Sequence, residues 1–88
     1  MANMTGMDIQ DVQRLAGELK HGACEIQQIM AKLTQRLHTV AWRGPDRERF
    51  VGEWDSAHCA ALKKVIGELE QASATANRNA GEQQNASA

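Results

Sequence analysis

An all-α fold is predicted for this 88-residue chain, an antiparallel helix-turn-helix hairpin. Three observations carry the hairpin. Apolar residues recur at helical spacing through both halves, one strong break (Gly44-Pro45) falls near the midpoint, and no stretch alternates as a strand would. The length fits a single domain. Two helices alone enclose no interior, so a chain this small leans on a disulfide, a metal or a partner. A partner is the expectation.

The first helix is predicted over about residues 8–41. Thr5 and Asp8 are its candidate N-caps, and Asp11 adds negative charge to the first turn. Val12, Leu19, Ile26, Leu33 and Val40 recur every seven residues, and Leu15 and Ile29 fit the same seam. Gly22 and Arg36 interrupt it, and Ala16, Ala23, Met30 and Leu37 widen it, as a straight helix drifts against a seven-residue repeat. Val12, Leu15, Leu19, Ile26, Ile29, Leu33 and Leu37 are the expected buried face. Gly17 and Gly22 each cost about 1 kcal/mol relative to Ala, which packing must offset.

The turn is placed at 42–45 and the second helix at about 46–80. Gly44 supplies conformational freedom. Pro45 suits the first helical position, where its missing N–H costs nothing. Asp46 and Glu48 complement the helix dipole. The expected apolar face comprises Phe50, Trp54, Ala57, Ala61, Leu62, Val65, Leu69, Ala72 and Ala76. Phe50 and Trp54, one turn apart, have the spacing of packing anchors. Residues 81–88 are expected to form a flexible tail.

Composition excludes several functions. The net charge of −1 and the scatter of Lys and Arg give no nucleic-acid surface. No apolar run approaches a membrane span. The first eight residues lack the basic and apolar regions of a secretory signal, so a cytoplasmic chain is expected on this ground alone. No phosphate loop, nucleophile elbow or paired carboxylates appear, and an open hairpin offers no dry pocket, so no enzyme is expected. His21, Cys24, His58 and Cys59 invite a metal or thiol reading. Adjacent His58 and Cys59 diverge by about 100° on a helix, and a tetrahedral site needs four converging ligands. Neither a metal nor any other cofactor is expected, and both cysteines are expected to be exposed and inert, with an intrachain Cys24–Cys59 disulfide or an intermolecular one after export as the alternatives.

Trp42-Arg43-Gly44 between two amphipathic helices resembles the small WXG-motif family of type VII secretion substrates. Phe50 lies six residues beyond Gly44 and Trp54 four further on, as in that family. The run Trp42-Arg43-Gly44-Pro45-Asp46, then Arg49-Phe50 and Trp54-Asp55, is similar to an actinobacterial branch, as is Arg78-Asn79-Ala80-Gly81-Glu82-Gln83 near the end. The resemblance covers essentially the whole chain. It implies a hairpin that dimerises antiparallel into a four-helix bundle, with itself or a related WXG-motif chain, and export from the cytoplasm by a membrane ATPase without a classical signal peptide. Trp42 and Gly44 become the turn and secretion motif. Leu15, Leu19, Ile26, Ile29, Leu33, Leu37, Phe50, Trp54, Leu62, Val65 and Leu69 become core and dimer contacts. One departure stands out. The family's Tyr-x-x-x-Asp/Glu export element would begin at Ala76 with Ala80 four residues on, and the chain has no tyrosine. That implies export beside a partner supplying the element, a variant tail signal, or no export. A chaperone-like carrier for a larger toxin is the alternative role, and a cytosolic metal- or thiol-dependent protein is the alternative from a different class.

Overall fold

The computed structural model describes residues 6–87, which form an all-helical hairpin without strands. Helix α1 spans Ile9–Thr39. Asp8 caps it, its carboxylate accepting the Asp11 amide at 3.0 Å. The other candidate cap, Thr5, lies outside the described residues. The helix ends two residues short of the expected limit, where Val40 turns extended and the Trp42 amide reaches back to the Val40 carbonyl at 2.9 Å.

The second arm is not one uninterrupted α-helix. Helix α2 spans Pro45–Glu53, a π-helical turn occupies Trp54–His58, and helix α3 runs Cys59–Ser87. Pro45 takes the first helical position as expected, behind Gly44 at φ 129°, a left-handed conformation that glycine alone adopts without strain. The flexible tail expected from Gly81 is instead helix through Ser87. Ala80, fully buried, anchors that last stretch, and Glu82, Gln83, Gln84 and Ala86 are good helix formers.

The rod measures 64 × 17 × 16 Å, the cross-section of two helices side by side. No side chain in so thin a body can be covered all round except a small one. The only residues with no exposure at all are accordingly Ala16 and Ala80, among those described. The buried column of α1 is Ala16, Ala23 and Met30, continued by half-buried Leu37; that of the second arm is Val51, Cys59, Ile66, Ser73 and Ala80. Ala16 and Ser73 are small enough for the backbones to approach, so the Ser73 hydroxyl donates to the Ala16 carbonyl at 2.6 Å and fixes the register.

Candidate association face

Toward the bend, side chains clamp the second arm onto α1. The Trp54 indole Nε1–H donates to Thr34 Oγ1 at 2.8 Å, and that hydroxyl donates to the Met30 carbonyl at 2.7 Å, so the expected packing anchor also carries a hydrogen-bond chain. Arg47 Nη2 donates to the Leu37 carbonyl at 3.1 Å, covering one of the last carbonyls of α1. His38 Nε2 lies 2.9 Å from Asp55 Oδ2 on the half-exposed back. Trp42, Phe50, Trp54 and His58 follow as a ladder of rings with centroids 6.2–6.5 Å apart. Trp42 therefore stacks at the bend yet stays open to solvent, and the turn around Gly44 is exposed.

The π turn decides which residues of the second arm point inward. Along α3 the buried positions repeat every seven residues, from Cys59 through Ile66 and Ser73 to Ala80. Val51 to Cys59 and Trp54 to Leu62 are eight apart. The extra residue sits in the wide turn at Trp54–His58, which absorbs it without taking either half off the seam. Counting α-helical turns onward from Trp54 gives Ala57, Ala61 and Val65 as the inner face, and all three are exposed. Val65 is 41% exposed whereas Ile66 is 7%. The same one-residue shift buries Cys59, expected outside, in one cluster with Ala23, Met30 and Ile66, with Sγ 3.8 Å from Thr34 Oγ1. Cys24 is exposed as expected.

The residues expected to pack divide into two sets. Leu19, Ile26, Leu37, Trp54, Leu62 and Leu69 are half-buried along the helix–helix seam. Leu15, Ile29, Leu33, Phe50 and Val65 are not core within one chain, being between 39% and 57% exposed. The α1 column that sequence reading treats as a widening of the stripe, Ala16, Ala23 and Met30, is the actual centre, and Val51, Ile66 and Ser73 were missed. The exposed set is not scattered. On α1, Leu15 and Ile29 are a quarter turn or so to one side of the buried column, and Val65 is displaced toward the same side on the antiparallel α3. One flank of the hairpin thus gathers the large exposed apolar side chains, interrupted by Arg36 on the line of Leu15 and Ile29. At its open end it dips into a groove of about 630 Å³ floored by Val12, Leu15, Leu19, Ala72 and Ala76. Among the described residues the opposite flank shows no large exposed apolar side chain and instead mixes small and charged residues, with Lys20, Ala31, Lys63 and Ala74 lining its hollows.

Among the described residues no helix is long and apolar enough to cross a membrane, and no cluster of side chains is arranged to hold a metal. Comparison with family models, with curated proteins and with solved structures gives no match.

Proposed function

We propose that this chain is a non-enzymatic association module, a substrate or adaptor of a type VII-like export machine that works by pairing through its apolar flank. The observation that carries the pairing is the row Leu15, Ile29, Leu33, Phe50 and Val65, large apolar side chains left open on one flank only. Contiguous patches of that kind mark protein interaction sites in soluble chains. The partner is a second copy or a related WXG-motif hairpin, and burying the row completes a four-helix bundle that two helices cannot make alone. The export route rests on the WxG resemblance at the bend. There Trp42 stacks 6.5 Å from Phe50 while remaining exposed, an arrangement suited to presenting the bend to an export ATPase.

The test is secretion from a host carrying such a machine, with Trp42→Ala beside Arg43→Ala. Trp42→Ala should reduce the exported fraction several-fold more than Arg43→Ala. Equal export of both variants would remove the role given to Trp42. Retention of the unaltered chain in the cytoplasm, alone and with co-expressed hairpin partners, would remove the export reading.

A further inference from the structure

Arg47 breaks the pattern of the bend. From Ala41 to Phe50 every other residue is exposed, yet the Arg47 side chain keeps only 17% of its surface open. Its charge is also wrong for its own helix. Arg47 lies in the first turn of α2, where the dipole favours Asp46 and Glu48 and disfavours a cation. Burying a guanidinium is unfavourable in itself, and the Nε is enclosed with no acceptor among the described residues. A methionine of similar length would carry none of these penalties.

The use of the arginine lies across the bend. Helix α1 stops at Thr39, before an amide at position 41 can close onto the Leu37 carbonyl. Arg47 Nη2 fills that place from the other arm at 3.1 Å, while Nη1 donates to Glu48 Oε1 at 2.7 Å. A cation is favourable at a helix C-terminus, so the charge that disfavours α2 suits α1. Among the described residues this is the only side-chain hydrogen bond between α1 and residues 40–50. It spans ten positions of chain, and Trp42 stands midway between Leu37 and Arg47.

On the reading of Trp42 as the residue displayed to an export machine, we infer that Arg47 is the positioning residue of the bend. Its guanidinium is a strap that ties the first turn of α2 to the last turn of α1. The loop between them is thereby held so that Trp42 stays stacked on Phe50, with 6.5 Å between ring centroids, and 43% exposed. A rigid fork suits the task, because Glu48 fixes one nitrogen on α2 while the other reaches α1. Without the strap, residues 40–44 keep only backbone contacts, Val40 to Arg36, Trp42 to Val40 and Glu48 to Gly44. A receptor would then have to order the Trp42 ring as it binds, which weakens the contact.

The test combines fluorine NMR of the full chain labelled with fluorotryptophan, which reports Trp42 and Trp54 as separate signals, with export from a host carrying such a machine. Arg47→Met removes the strap and the buried charge together. Its Trp42 signal should sharpen and shift toward that of the unfolded chain. Its Trp54 signal should stay in place, because Thr34 still holds that indole. Its exported fraction should fall about fivefold. Arg47→Lys keeps a donor that can reach the Leu37 carbonyl, and should return the Trp42 signal and most of the export. A Trp42 signal indifferent to Arg47→Met would overturn the strap. Equal movement of both signals would overturn it too, since Arg47 would then stabilise the hairpin as a whole. An altered Trp42 signal with full export, in a host that retains Trp42→Ala, would overturn the claim that export needs the bend held. Export of Trp42→Ala at the unaltered level would instead remove the export reading of the bend, and the fluorine spectra would still decide the strap.

Discussion

Deleting Ala57 should leave the hairpin intact, whereas deleting Glu70 should not. Both residues are exposed, and Ala57 makes no polar side-chain contact. Removing one residue from the π turn returns Val51 to Cys59, and Trp54 to Leu62, to the seven-residue spacing used along α3. The seam survives, a less favourable hydrogen-bond pattern becomes an ordinary α turn, and stability should change by less than about 1 kcal/mol. Removing Glu70 rotates everything beyond it by about 100° relative to α1. The Ser73 hydrogen bond to the Ala16 carbonyl is then lost, at about 1 kcal/mol. Losing the burial of Ala76 and Ala80 costs about 0.8 kcal/mol for each methyl. The sum is about 2–3 kcal/mol, or about 10–20 °C in melting temperature for a chain of this size. The assay is thermal unfolding by circular dichroism at one fixed protein concentration, because association adds its own stabilisation. Equal losses from the two deletions, or a larger loss from deleting Ala57, would refute the assignment of the extra residue to Trp54–His58.

Four further outcomes follow from the same geometry. Ile66→Ala, at a 7%-exposed position, should cost about 2–3 kcal/mol at every protein concentration. Val65→Ala should act mainly through the concentration-dependent part, and both effects are read from denaturant titrations at several dilutions. Gly44→Ala, at φ 129°, should destabilise by about 1 kcal/mol or more despite open space around it, as read from the denaturation midpoint. In native chain, a soluble thiol reagent should modify exposed Cys24 rapidly and buried Cys59 only as the hairpin opens, so counting reacted thiols against time should give one fast and one slow group.

The helical character, the bend and its construction were legible because they rest on local chemistry. Apolar periodicity, Gly44 ahead of Pro45, and Asp8 as a cap each act within a few residues. The phase of the second arm was not legible. Nothing in Trp54-Asp55-Ser56-Ala57-His58 disfavours an ordinary α turn, so the wide turn shows only once α1 lies alongside and Trp54 reaches Thr34. That single residue of offset moved Val65 out, Ile66 in, and Cys59 from surface to core. On α1 the large side chains drew attention from the small ones. Two helices pack closest where Ala16 and Ala23 stand, which leaves Leu15, Ile29 and Leu33 to the outside. The continued helix beyond Gly81 depends on Ala80 being covered, a tertiary effect that composition does not carry.

The apolar flank makes one demand that can be measured directly, the solution mass of the purified chain by light scattering after size exclusion across a dilution series. The expected result is a helical species of twice 9.7 kDa that dissociates only on strong dilution. A monodisperse, fully helical, stable monomer at every concentration would contradict it, because Leu15, Ile29, Leu33, Phe50 and Val65 would then need no cover.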